Sequence, residues 1–200
     1  MIVIGVTGSI GMGKSTTAKM LSTEYGAPLY DADIVVADLI GPKGAAVQKV
    51  ADIFPDSYNP KTEQIDRSAL AKIVFADEEK RRALENILHP MVRTAQKKFL
   101  EQNVRSQYVV LDIPLLFETD GDKNCDYTIC VSAPAHIQKQ RVLARGMSLE
   151  AFEARLSSQM PDVEKQRRAD FVIQTGISFS DTLKQLKKIM LKIGQKPKGG

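Results

Sequence analysis

A short β-branched run, Ile2 to Thr7, opens directly into Gly8-Ser9-Ile10-Gly11-Met12-Gly13-Lys14-Ser15, and no other stretch restricts the fold as strongly. The octet fits G-x-x-x-x-G-K-[ST] without a mismatch, and Lys14 to Tyr25 follows with a helical apolar face from Ala18, Met20 and Leu21. Glycines at Gly8, Gly11 and Gly13 let the backbone take positive φ and approach a ligand closely. Successive N–H groups then form an anion nest at the positive end of the helix. In that pattern Lys14 reaches the β- and γ-phosphates, Ser15 ligates Mg²⁺, and Thr16 meets the α-phosphate. A glycine-rich turn without a ligand is disfavoured, because the strand–loop–helix setting is present. The expectation is ATP.

The rest of the chain alternates strand and helix. Pro28–Tyr30 reads as a second strand, and QYVVLDI at 107–113 as a strand buried on both faces. DYTICVS at 126–132 and DFVIQT at 170–175 follow, and a last helix spans about 179–193. Such alternation predicts an α/β fold with a parallel sheet wound on both faces. Two helical stretches interrupt it, 34–104 and 146–168, expected to be a substrate-side insertion and a lid. The nucleotide-binding core of a single domain is then about 1–33, 105–145 and 169–193, with a disordered tail over 194–200.

Bulk properties narrow the classes. Hydrophobic residues make up 43% and charged residues 26%, as in an ordinary globular chain. The apolar start runs straight into glycines without a basic leader, and no stretch approaches the roughly 20 apolar residues of a membrane helix. A net charge of +4 suits a polyanionic small molecule, while no helix carries the dense basic stripe of a nucleic-acid binder. Cys125 and Cys130 lack companions at metal-site spacing and read as reduced thiols of a cytoplasmic protein, a monomer or weak homo-oligomer.

Other residues carry candidate chemistry. Asp31 and Asp33 lie past the second strand, where open parallel sheets bind ligands. Asp33 is the candidate base for an acceptor hydroxyl, although Asp31 or Asp33 equally fits the cap of a helix starting at Ile34. Asp112 ends its strand where a carboxylate can hold magnesium through water, or can cap the turn before Pro114. Arg141 and Arg145 share a helix face by i, i+4 spacing and are candidates for ATP contact. Arg155, Arg167 and Arg168 fit a salt-bridged exposed face with nearby Glu. His89 ends a helical segment before Pro90, as a turn residue or a substrate-side contact, and His136 reads as a surface residue.

Along nearly its whole length the chain resembles the dephospho-coenzyme A kinase family. The matching segments are GVTGSIGMGKST at 5–16, YDAD at 30–33, LHP at 88–90, IPLLFE at 113–118, the region of Gln159, and ADFVI at 169–173. The resemblance implies a P-loop kinase fold: a five-stranded parallel sheet flanked by helices, with a helical substrate-binding insertion and a lid. It implies ATP-dependent phosphorylation of the ribose 3′-hydroxyl of dephospho-coenzyme A, with Mg²⁺, and Asp33 as the base. It also puts His89, Pro114, Leu115, Leu116 and Glu118 on the substrate side. Departures stand at Ser9 and Met12, where the family commonly has glycine and serine, and at Gln174-Thr175, where it usually has Asn before the glycine.

Two rivals fit less well. Another small P-loop kinase, acting on a nucleoside or nucleotide monophosphate, would share the loop. A GTPase switch would need N/T-K-x-D and D-x-x-G, whereas the strand ends read LDIP and CVSA.

Overall fold

The computed structural model describes residues 1–195, which divide into two compact units: Met1–Tyr30 with Asn103 onward, and Asp31–Gln102. In chain order the strands are β1 (Ile2–Thr7), β2 (Leu29–Asp31), β3 (Tyr58–Asn59), β4 (Gln64–Ile65), β5 (Tyr108–Asp112), β6 (Tyr127–Ser132) and β7 (Phe171–Gln174). The helices are α1 (Lys14–Tyr25), α2 (Ala32–Ile40), α3 (Val47–Ile53), α4 (Arg67–Ala76), α5 (Glu78–Gln102), α6 (Ala135–Ala144), α7 (Leu149–Ser157), α8 (Asp162–Arg168) and α9 (Phe179–Gln195).

The first unit is built on a five-stranded sheet in the order β2-β5-β1-β6-β7. β1 pairs in parallel with β5 from Ile2 opposite Tyr108 to Val6 opposite Asp112, and with β6 from Ile4 opposite Tyr127 to Thr7 opposite Cys130. β7 joins β6 in parallel, ending with Gln174 opposite Ser132. The carboxyl ends therefore fall at one edge, bringing together Thr7, Asp112, Ser132 and Gln174. Every residue of β5 and β6 is buried, as their unbroken apolar runs require. α1 adds Ala18, Met20 and Leu21 to this core, and α9 adds Leu186, Ile189, Met190 and Ile193 at helical spacing. Each large aliphatic side chain so buried is worth about 1.5–3 kcal/mol.

The chain enters α1 through Gly13 and leaves it through Gly26, both left-handed. α7 and α8 fall within the expected 146–168 stretch, with Ser148 capping α7 by accepting the Ala151 N–H at 3.2 Å. α9 continues to Gln195, beyond the expected end at 193. The tail expected from 194 therefore begins inside a helix, and its remainder, 196–200, lies outside the described residues. Among the described residues no helix is long and apolar enough to cross a membrane.

The second unit packs α2, α3, α4 and α5 around Ile40, Val50, Phe54, Ile65, Leu70 and Leu88. It corrects two expectations. Within 34–104, expected to be a helical stretch, lies a small antiparallel hairpin, β3 with β4, where Tyr58 faces Ile65. Ile65 is buried there, and the Asn59 carboxamide accepts the Lys61 N–H at 3.0 Å to close the turn. The strands are too short for periodicity to reveal. Secondly, α5 runs unbroken through Pro90, so His89 lies inside a helix and does not end one. An interior proline costs about 3 kcal/mol or more, an amount that packing of α5 against α2, α3 and α4 offsets.

Candidate active site

Gly8, Gly11 and Gly13 take φ of 152°, 80° and 94°, and each presses against neighbouring structure. A side chain at Gly8 would meet the Val131 carbonyl at 2.4 Å, and one at Gly11 would meet Val142 at 2.6 Å. These positions exclude a Cβ on both conformation and space. The Ile10 backbone is held at both its carbonyl and its N–H. Its carbonyl accepts the Gln138 amide at 2.7 Å, and its N–H donates to the Gln159 carboxamide at 3.2 Å. Gln138 comes from α6 and Gln159 from the α7–α8 connection, so both elements shape the loop. Ser9 is buried, and its hydroxyl has no hydrogen-bond partner among the described residues.

Lys14 is buried and pairs with the fully buried carboxylate of Asp112 at the end of β5. Ser15 and Thr16 are exposed in the first turn of α1. Met12, the unusual residue of the loop, turns its side chain inward, where its sulfur accepts the Ala133 N–H at 3.1 Å. Its carbonyl accepts the Thr175 hydroxyl at 2.5 Å. Arg141 in turn grips Thr175, donating from Nη1 to the hydroxyl at 3.0 Å and from Nη2 to the carbonyl at 2.6 Å. Arg145 is exposed, and its guanidinium makes no hydrogen bond or ion pair among the described residues. The i, i+4 pair thus splits into a structural tie and an open cation.

The segment after β5 ties α8 and the α7–α8 connection to the sheet. The Pro114 carbonyl accepts from the Thr7 hydroxyl at 3.1 Å and from the Lys165 ammonium at 2.7 Å. Lys165 is fully buried and pairs with Glu118 at 2.8 Å; the same Glu118 oxygen accepts the Met160 N–H at 2.9 Å. Leu115 is half-buried, whereas Leu116 is fully buried against Gly5, so its side chain offers no surface to a ligand. Arg168 pairs with Asp122 at 3.2 Å and lies over the Phe117 ring at 4.6 Å, not against a neighbouring Glu as expected. Lys165, Gln138 and the hydroxyl of Thr175 escaped the sequence reading. One lysine in the charged run DVEKQRR carries no signal of burial, while Thr175 stood out only as a departure.

In the second unit the choice between Asp31 and Asp33 resolves. α2 begins at Ala32, not Ile34, and Asp31 is its N-cap, accepting the N–H groups of Asp33 at 2.9 Å and Ile34 at 3.1 Å. Asp33 is exposed in the first turn, three positions beyond Tyr30, the last residue of the first unit. His89 is half-buried on α5.

Both cysteines are free, and burial pushes each thiol up to about 12, with the carboxylates of Asp122, Asp126 and Asp170 adding to the rise at Cys125. Neither is poised as a nucleophile.

Known proteins resemble this chain along nearly its whole length. The sequence profile of the dephospho-CoA kinase family matches residues 2–181. A dephospho-CoA kinase of Novosphingobium aromaticivorans is 45% identical over 199 residues, covering 98% of each chain. Among solved structures, TT1252 from Thermus thermophilus superposes with a TM-score of 0.83 at 36% identity, covering 96% of each chain. A dephospho-CoA kinase from Campylobacter jejuni has a TM-score of 0.66 at 29% identity, covering 96% of this chain and 97% of its own.

Proposed function

The chain belongs to the dephospho-CoA kinase family, and on that premise we propose how its residues carry out ATP-dependent phosphorylation of the ribose 3′-hydroxyl of dephospho-coenzyme A, the final step of coenzyme A biosynthesis. The N–H groups of Gly11, Met12, Gly13, Lys14, Ser15 and Thr16 cradle the ATP phosphates, with Gly8 allowing the loop to turn back on β6. Lys14 leaves its pairing with Asp112, or shares it, to neutralise charge on the β- and γ-phosphates. Arg145, open to solvent, closes on the nucleotide, and Arg141 adds its remaining donors from the side of Thr175.

Asp33 is the base. It orients the 3′-hydroxyl and takes its proton as the γ-phosphoryl group transfers in line. The observation that carries this role is the division of labour in the acidic turn: Asp31 is committed to capping, and Asp33 keeps an exposed carboxylate. His89, Pro114 and Leu115 are assigned to binding of the acceptor. Glu118 serves it indirectly, by fixing the lid connection through Lys165 and Met160.

The donor set fits Mg²⁺ as the metal. Among the described residues no cluster of His, Cys, Asp and Glu could cage an ion. Mg²⁺ needs only one or two protein oxygens, completing its shell with phosphates and water. The exposed Ser15 hydroxyl would be its direct ligand, and the Asp112 carboxylate would hold a water of its shell. When bound, the ion neutralises phosphate charge and orients the γ-phosphoryl group.

A coupled assay offering dephospho-coenzyme A beside nucleosides and nucleotide monophosphates, with and without EDTA, tests the assignment. Turnover should be confined to dephospho-coenzyme A and lost on chelation. Preferred turnover of another acceptor would overturn these roles.

A further inference from the structure

Thr175 directly follows β7 and is held by polar partners from three other segments, at Met12, Ser132 and Arg141. The side chain is buried, only 7% exposed, under the phosphate loop at the end of β7. Its N–H donates to the Ser132 carbonyl at 2.8 Å, and both its hydroxyl and its carbonyl receive donors from Arg141. A threonine hydroxyl has one proton, and arginine can only donate. The Arg141 contact therefore uses the oxygen as an acceptor and forces its proton towards a carbonyl. Two carbonyls are in reach, Met12 at 2.5 Å and Ser132 at 3.3 Å. The shorter contact wins, because the Ser132 oxygen already takes the Thr175 N–H.

The consequence runs through one peptide bond. The Met12–Gly13 peptide is planar and trans, so its N–H points opposite to its C=O. With the Met12 carbonyl held on Thr175, the Gly13 N–H is turned away from Thr175. Gly13 itself, at φ 94°, would be free to rotate that peptide; a Cβ there would touch the Thr175 hydroxyl at 3.2 Å. The inward-turned Met12 sulfur, held by the Ala133 N–H at 3.1 Å, fixes the same residue from its other end. A glycine-flanked peptide is thereby anchored at two points.

We propose that Thr175, oriented by Arg141, is a positioning residue that locks the Met12–Gly13 peptide with its N–H presented to the phosphate groups of the nucleotide. The assignment rests on the phosphate loop being the ATP site, and turnover of dephospho-coenzyme A by the unaltered protein checks that independently. It makes the post-β7 residue a determinant of phosphate binding, not of adenine binding.

Calorimetric titration of the full chain with ATP, tripolyphosphate and adenosine separates the two. Thr175→Val, which keeps the shape and removes the hydroxyl, should weaken ATP and tripolyphosphate about tenfold and leave adenosine within about twofold. In steady state its KM for ATP should rise while KM for dephospho-coenzyme A stays put. Thr175→Ser should stay within about threefold of the unaltered protein on every probe. Should Thr175→Val fail to fold by circular dichroism, Thr175→Ala removes the same hydroxyl and takes its place. Unchanged tripolyphosphate affinity in the hydroxyl-free variant overturns the proposal. So does an equal loss of adenosine affinity, or a serine variant as impaired as the valine one.

Discussion

The Asp31 carboxylate accepts the backbone N–H of Asp33 at 2.9 Å, so one acidic residue of the turn secures the helix that presents the other. The two should fail differently when changed. Asp33→Asn should lower kcat by about 10²–10⁴-fold while KM for ATP and the melting temperature hold steady. Asp31→Ala should cost about 1 kcal/mol of stability through the lost cap, with a much smaller effect on kcat. Steady-state kinetics alongside thermal denaturation checks both, and an Asp33→Asn enzyme of normal kcat would remove Asp33 from the chemistry.

Lys14 and Asp112 form a buried pair, and single changes there should be worse than double ones. Lys14→Ala should reduce kcat by at least about 10²-fold, and should destabilise the ligand-free protein by about 3–5 kcal/mol by removing the ammonium beside a buried carboxylate. Adding Asp112→Asn should restore much of the stability and none of the turnover. Urea denaturation of the two singles and the double yields the coupling directly.

A second pair joins the fully buried Lys165 to Glu118, whose side chain stays partly exposed, and anchors the α7–α8 connection. Glu118→Ala removes both the partner of a fully buried ammonium and the acceptor for the Met160 N–H. A stability loss of about 1.5–3 kcal/mol is expected. Trypsin should cut faster at exposed Arg155 on α7, which limited proteolysis followed by mass spectrometry would detect. If Glu118 instead served the acceptor alone, KM for dephospho-coenzyme A would rise with no change in cleavage.

The thiols predict an alkaline limit. Burial raises Cys125 and Cys130 from 9.0 to about 12 in the folded chain, so each stays protonated where an unfolded thiol ionises. Their contribution to stability is therefore complete below pH 9 and is lost progressively as pH rises from about 9 towards 12. The urea midpoint should be lower at about pH 10.5 than at about pH 8. Native protein should react slowly with a thiol reagent at about pH 8 and rapidly once unfolded.

The sequence disclosed the parts whose residue pattern is itself the physical requirement. A Gly8–Ser15 loop between an apolar strand and a helix has few other ways to be satisfied, and continuous apolar runs such as Tyr108–Asp112 suit only a covered parallel strand. Side-chain destinations were hidden where one residue type has several uses. Arg141 could reach a phosphate or a backbone carbonyl, and only the position of Thr175 decides. Pro90 suggested a break because local propensity opposes it, yet packing along α5 outweighs one missing N–H. The β3–β4 hairpin fell below any periodic signal.

The excursion Asp31–Gln102 departs from the end of β2 and returns to β5, and these two strands are immediate neighbours in the sheet. It is thus one continuous insertion between two neighbouring strands. A segment inserted whole in this way behaves like a cartridge. It can lengthen, shorten or be exchanged across evolution without altering a single pairing among β1, β6 and β7. The phosphate loop of the one unit and the helices of the other can therefore change in sequence separately.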